Sequence, residues 1–317
     1  MKKILLSVVC LVMVGIQSVN AQVAIAALHH NDSVKIYSAA QIQTAIDAAV
    51  AGDTIYLSEG VFGGFTVAKP IAIIGAGQTT GISSTITIGK YGTPTEAGLL
   101  LSGLNIYQEV NFRYTVDGAR ISQCKIAGDC DFSSTNNSGS FSNIEVLLSY
   151  IVGTLNFNSP SGVQGITVTN SKIGTIRYDS AGEGGSTFVN CNINFAQASG
   201  TGSSSGKNNN FVNSIINNAS QGVFKNCLYN TTSTNAVNVD CYQPSTAFSF
   251  SEDLDCSLSD GDLQSSSYLG VDGTIVGISG GQVAYTLVMP VAQVTEHSIE
   301  VDQAERKLKV SLKLGNK

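Results

Sequence analysis

The chain has 317 residues, of which only 13% are charged, and a formal net charge of −6. So few basic residues exclude a nucleic-acid partner, because such partners are held chiefly by Lys and Arg contacts to phosphates. After the N-terminal segment, no stretch approaches the roughly 20 apolar residues that a membrane-spanning helix requires. The 33 glycines are typical of a chain with many tight bends.

The N-terminus has the order of a secretory signal peptide. Two lysines precede an apolar stretch from Ile4 to Ile16, and the small-residue end at Ala21 predicts cleavage before Gln22. Residues 1–21 are therefore predicted to be removed. The mature protein is predicted to be secreted, to the periplasm or the outer cell surface.

The segment from Ser38 to Gly77 predicts a capping helix followed by the first coils of a β-solenoid. Ser38 and Gln41 form a capping box. Three short β-branched runs follow, and the turns between them are too short to hold crossover helices. Parallel strands joined in this way form a coil with a shared apolar interior. The helix presents one apolar face, made by Ile42, Ala45, Ile46, Ala49 and Val50.

This segment, with its Ala-Ile-Asp-Ala-Ala, Gly-Asp-Thr-Ile-Tyr-Leu and Lys-Pro-Ile motifs, resembles the N-terminal part of pectate-lyase-like right-handed parallel β-helix proteins. Residues 262–281 resemble the closing signature of secreted bacterial β-helix proteins. The resemblance implies an all-β fold, a right-handed parallel β-helix over residues 22–289 with an N-terminal capping helix. It selects no activity, because the family includes lyases, hydrolases, adhesins and phage tailspikes.

A loose motif recurs from Ser122 onward, with a small residue two positions before its apolar end. We predict that these small residues point inward and stack from coil to coil. An asparagine precedes the small residue in four repeats, which favours an asparagine ladder at a left-handed bend over a sugar-binding stripe. The motif ends are Ile126, Ile151, Ile173, Ile193, Ile216 and Tyr229, and the asparagines are Asn170, Asn190, Asn213 and Asn226.

The cysteine spacing argues against a disulfide framework. Cys124, Cys191 and Cys227 are separated by at least two coils, or roughly 9.6 Å, and a disulfide spans at most roughly 7 Å. We therefore expect them to be free thiols. Cys241 and Cys256 are the only pair considered for a bridge. No metal or cofactor site is predicted, because CxxC spacing is absent and the histidines lie at the two ends of the chain.

Aligning the coils on the small residue predicts one patch whose residues could bind a ligand or take part in catalysis. Asp129 and Asp131 stack near Thr154 and Asn156 in this alignment, and Lys125 shares a position with Lys172 two coils away. The motifs of polygalacturonase-like enzymes, Gly-His-Gly and Arg-x-Lys, are missing. The predicted binding residues are Lys172, Arg177, Tyr178 and Asp179. No catalytic residue is predicted in the favoured interpretation. The alternative is a lyase site made by Asp129, Asp131, Arg177 and Asp179. These residues could also be ordinary solvated positions on the outside of the solenoid.

Two further segments carry expectations. The acidic stretch 251–262 lacks the glycine and the closing glutamate of an EF-hand, so it is either a solvated turn or a weak Ca²⁺ loop. Residues 290–317 alternate apolar and polar residues and predict a short β-hairpin, which either caps the open end of the solenoid or serves as an attachment segment. Capping is favoured, because an uncovered end coil presents unpaired strand edges.

The functional expectation is non-catalytic, adhesin-like binding of a polysaccharide or surface glycan by a secreted or cell-surface protein. The alternative is a divergent polysaccharide lyase acting on uronic-acid polymers. A structural spacer without a ligand is the third possibility.

Overall fold

The computed structural model of the chain describes residues 23–132, 140–157, 163–178, 185–198, 208–233, 236–265, 268–289, 293–302 and 307–315. Within these ranges the fold is a solenoid of stacked, mainly parallel β-coils with very little helix. The predicted all-β solenoid is confirmed. Asp179, residues 133–139 and the predicted signal peptide at residues 1–21 lie outside the described residues.

One wall of the solenoid is sheet A, which contains twelve strands in the described part of the chain. Its first three strands are antiparallel, and from Thr54–Leu57 onward each strand runs parallel to its neighbour. The strands in spatial order are Ser33–Ser38, Ile25–His30, Thr54–Leu57, Ala72–Ile74, Leu100–Ser102, Arg120–Ser122, Glu145–Leu147, Thr167–Thr169, Thr187–Val189, Asn210–Val212, Gly222–Lys225 and Ala236–Val239.

Sheet B forms the opposite wall, and in the early coils each of its turns is split into two short strands. From Tyr150–Asn156 onward the two halves join into one long strand with a register shift at its bend. The first halves and the long strands are Gly60–Phe62, Thr80–Ile82, Asn105–Ile106, Lys125–Ile126, Tyr150–Asn156, Lys172–Tyr178, Asn192–Ala198, Ile215–Ala219 and Leu228–Thr232. The second halves are Phe65–Val67, Ile86–Ile88, Val110–Phe112 and Cys130–Asp131. A small sheet C contains Val116–Asp117, Phe141–Ser142 and Val163–Gln164.

The interior is built from columns of identical or similar side chains, one per coil. An aromatic column of Phe112, Phe132, Phe157 and Tyr178 stacks ring on ring, with centroids 4.3 to 5.5 Å apart. These side chains are buried, and stacking in a dry interior adds to the free energy gained from burying their area. Strand alternation places every second residue in this core and the others outside.

The predicted repeat is confirmed in detail. All six motif ends occupy one register position, and the last repeat is a shortened coil. The small residues before them also stack, because the backbone N–H of Cys124 donates to Ser149 Oγ at 3.2 Å and that of Ser149 to Ser171 Oγ at 3.1 Å. The hydroxyls thereby satisfy buried donors that would otherwise weaken the bend.

The N-terminal end of the solenoid is covered by a helix, α1, at Ile42–Ala48, which follows a 3₁₀ turn at Ala39–Gln41. The predicted buried face is confirmed for Ile46, which is 2% exposed, whereas Val50 lies beyond the helix and is half exposed. The Gln43 amide pairs with the backbone of Thr66 at 2.8 and 3.1 Å. This side chain therefore supplies the hydrogen bonds that a neighbouring strand would give.

The last coil ends at Tyr242, and the chain then reverses. Residues 243–289, here called the return segment, run back along the outside of the solenoid toward its N-terminal end. Lys172 contacts the early part of this segment, Asn170 its middle and Ser102 its last residue, Met289. A short helix, α2, at Asp260–Ser265 lies within it, and a further 3₁₀ turn occupies Gly77–Thr79 in the coils.

The C-terminal strands Gln293–Asp302 and Lys307–Gly315 form the predicted antiparallel hairpin. Its role as a cap of the solenoid or as an attachment segment stays a prediction. Among the described helices, none is long and apolar enough to cross a membrane.

Candidate functional site

A row of polar side chains follows the outer face of sheet B, one residue per coil. We call it the polar row. Its register is continuous through five strand pairings, so neighbouring side chains are about 4.8 Å apart along the solenoid axis. The members are Thr66, Thr87, Asn111, Asp131, Asn156 and Arg177.

Strand alternation explains why the row faces outward. Each member sits between two buried residues, as Asn156 does between Leu155 and Phe157 and Arg177 does between Ile176 and Tyr178. The predicted stacking of Asp131, Asn156 and Arg177 is confirmed as direct register. The side chains that the alignment predicted to be adjacent are therefore adjacent.

The row is rich in hydrogen-bond acceptors. Asn111 is only 8% exposed, and its Nδ2 donates to Glu109 Oε2 at 3.3 Å. The Oδ1 atoms of Asn111 and Asn156 are buried and have no hydrogen-bond partner among the residues that the structure describes. A buried amide oxygen without a partner carries a desolvation cost.

Asp129 lies beside the row rather than on it. Its Oδ1 accepts a 2.7 Å hydrogen bond from the backbone N–H of Thr154, at the bend where the two halves of sheet B join. The predicted proximity of Asp129 and Thr154 is confirmed. The contact shows that this carboxylate holds the bend of the next coil.

Two predicted binding residues have other positions. The prediction that Tyr178 faces outward is wrong, because the side chain is completely buried as the last ring of the aromatic column. The reason is alternation: with Arg177 outward, both of its neighbours must point inward. Tyr178 therefore has no surface to offer a ligand.

Lys172 is 5% exposed because the return segment covers it. Its Nζ lies 2.6 Å from Asp255 Oδ1 and 4.9 Å from the ring centroid of Tyr285. Both partners belong to the return segment, so the lysine holds that segment to the coils. The shared position of Lys125 and Lys172 is confirmed, with Tyr150 between them.

Asn170, Asn190, Asn213 and Asn226 lie at the predicted left-handed bend, with φ between 45° and 52°, but among the described hydrogen bonds none joins one of these four amides to the next. Asparagine tolerates this conformation better than most residues. The described amides bond mainly to the return segment. Asn170 Nδ2 donates to the Gly280 carbonyl at 2.8 Å, and Asn213 Oδ1 accepts from the Val271 N–H at 2.9 Å.

The six cysteines that the structure describes are free thiols. Burial raises the pKa of the Cys124 and Cys191 thiols to about 12. Cys241 lies against Cys227, whose backbone N–H donates to Cys241 Sγ at 3.4 Å. The hydrogen bond from the Cys227 thiol lowers the pKa of Cys241 to about 7. Cys256 carries no bridge to Cys241.

The acidic stretch is used inside the return segment. Asp255 pairs with Lys172, and Asp262 Oδ2 accepts hydrogen bonds from the Ser259 N–H and hydroxyl at the start of α2. Within the described ranges, no group of three His, Cys, Asp or Glu residues is placed to hold a metal ion.

A cleft at the N-terminal end of the polar row was missed by sequence reasoning. It lies between α1 and strand Phe65–Val67, has a volume of about 520 Å³ and includes Thr66, Lys69 and Lys90 in its lining. A second hollow of about 310 Å³ shares Lys90 and Thr93 with it and adds Tyr91 and Tyr114. The sequence feature that could have indicated this cleft is the pair of Lys90 and Tyr91 shortly after strand Ile86–Ile88.

No family model, no curated protein and no solved structure matches the chain.

Proposed function

We propose that the protein is an exported β-solenoid that binds a polysaccharide or surface glycan along the polar row, without catalysing a reaction. Secretion to the periplasm or the outer surface rests on the signal-peptide pattern of residues 1–21. The binding role rests on the polar row itself, which is the observation that carries the proposal.

The row suits a polymer of sugars for two reasons. Its side chains repeat once per coil along a straight line, so an extended chain of sugar rings can make the same kind of contact many times. Its chemistry is that of hydroxyl recognition, since amide and carboxylate oxygens accept from hydroxyls and the Arg177 guanidinium donates to oxygen. Many weak, repeated contacts give useful affinity when they act in one molecule.

The return segment supports this assignment by contrast. It covers two other outward positions of the same sheet, those of Lys172 and Asn192. Pairs such as Asn192 to Leu254 show that those residues already have a partner in the chain. The polar row keeps acceptors, at Asn111 and Asn156, for which the described residues provide none.

A titration of immobilised or soluble glycans tests the proposal. Arg177→Ala removes one positive charge from the row, and Arg120→Ala removes the same charge from the outer face of sheet A, where Arg120 pairs with Glu145 at 3.0 Å. We expect Arg177→Ala to weaken binding about tenfold, which corresponds to about 1.4 kcal/mol, and Arg120→Ala to leave it unchanged. Equal losses, or no glycan bound by the unmodified protein, would overturn the proposal.

A further inference from the structure

The cleft beside α1 continues the polar row. Thr66 is both the first member of the row and part of the cleft lining. The adjoining hollow shares Lys90 and Thr93 with the cleft. A polymer that follows the row toward the N-terminal end therefore enters this cleft next.

The hollow contains an aromatic platform. Tyr91 is 75% exposed, and its ring meets that of Tyr114 edge to face, with centroids 5.6 Å apart. Tyr114 has φ of 61°, a left-handed conformation that is unfavourable for a bulky residue and that clusters at functional sites. An exposed aromatic ring of this kind can pack against the apolar C–H face of a sugar.

The two lysines of the cleft differ in the partners that their ammonium groups have within the protein. Lys69 Nζ donates to three carbonyls at the end of α1, those of Ile46, Asp47 and Ala49, at 2.7 to 3.1 Å. The Asp47 carboxylate accepts from Gln43. Lys90 is exposed, and in the described part of the chain no carboxylate lies within ion-pair distance of it.

These observations together define a ligand chemistry. We infer that the cleft binds an anionic sugar unit, carrying a carboxylate or a sulfate, whose ring packs on Tyr91 and whose acidic group pairs with Lys90. The inference rests on the proposed function, because the anionic unit is held as part of the glycan on the polar row. Preference for an anion is thus a property of one end of the surface.

The test uses three oligosaccharides of one backbone and length, which are neutral, carboxylated and sulfated. Titrating the full-length mature protein with each should give at least about tenfold tighter binding of an anionic form, with a preference that shrinks as salt rises. Lys90→Gln should abolish the preference, while Tyr91→Ala should weaken all three ligands. Both side chains are exposed, so the fold is retained, as circular dichroism will show.

Matched controls separate the cleft from the rest of the molecule. Lys225→Gln and Tyr107→Ala change exposed residues of the same types elsewhere and should have no effect. Arg177→Ala should weaken binding along the row while the preference for an anion remains. Glycan binding whose anion preference survives Lys90→Gln would overturn this inference alone. Absence of any glycan binding would overturn the proposed function, and this inference with it.

Discussion

The two halves of the long strands in sheet B differ in the contacts that their outward side chains make. In the first half, the outward residues Tyr150, Lys172 and Asn192 are covered by the return segment and hydrogen bond or ion pair with it. In the second half, Asn156 and Arg177 lie outward on the polar row, and Asn156 Oδ1 has no hydrogen-bond partner among the described residues. A polar residue at a repeated position can therefore hold the return segment or belong to the proposed binding row. Only the path of the distant segment decides which.

The largest expected effect concerns Tyr178, which belongs to neither outer surface. Tyr178→Ala empties the end of the aromatic column, and truncations of buried aromatics cost about 3–5 kcal/mol. We expect that loss in the free energy of unfolding measured with denaturant. Tyr107→Ala, at an exposed tyrosine, should be nearly silent. A stable Tyr178→Ala variant with reduced glycan affinity would restore the original binding assignment.

The next largest expected effect on stability is at the N-terminal cap, which lies beside the first member of the polar row. Ile46→Asp places an unpaired carboxylate in an apolar contact, at a cost of several kcal/mol. The melting temperature should fall or soluble protein should be lost. The control is Thr44→Asp, on the exposed side of α1. The neighbouring Gln43 is not suitable as a control, because its side chain hydrogen bonds the backbone of Thr66. Similar losses in both variants would mean that α1 does not pack as described.

Releasing the return segment should have a moderate effect. Asn213→Ala removes the acceptor for the Val271 N–H and puts alanine at a φ of 51°, so we expect about 2 kcal/mol less stability. Faster hydrogen exchange at Val271 should accompany it, while glycan affinity stays unchanged. Reduced affinity in this variant would place ligand contacts on the covered side.

The smallest effect is chemical and leaves stability untouched. With its pKa lowered to about 7, the Cys241 thiol ionises as pH rises through neutrality and should then react with a thiol reagent. Cys124 and Cys191, whose pKa values burial raises to about 12, should react only after denaturation. Mass mapping of labelled peptides at pH 6 and pH 8 checks this. Labelling of Cys124 in the folded protein would show that the coil interior is open.

The sequence predicted the coils well because the solenoid repeats a local rule. Alternation and the small residue before each motif end placed Asp131, Asn156 and Arg177 in one row. The predicted binding role of Tyr178 does not agree with the same rule, because alternation with Arg177 points Tyr178 inward. The ion pair of Lys172 could not be predicted, because Asp255 lies 83 residues later and no local pattern shows where a non-repeating segment contacts the coils. The cleft at Lys90 depends on such long-range placement as well.

One matched pair of substitutions tests the division of sheet B most directly. Asn156 lies on the polar row, and Asn192 lies under the return segment, where its Nδ2 donates to the Leu254 carbonyl at 2.9 Å. Glycan affinity and unfolding free energy are to be measured for Asn156→Ala and Asn192→Ala. The account predicts that Asn156→Ala weakens glycan binding about fivefold with stability unchanged, and that Asn192→Ala lowers stability by about 1–2 kcal/mol with affinity unchanged. The opposite assignment of the two losses, or the same loss in both variants, would contradict it.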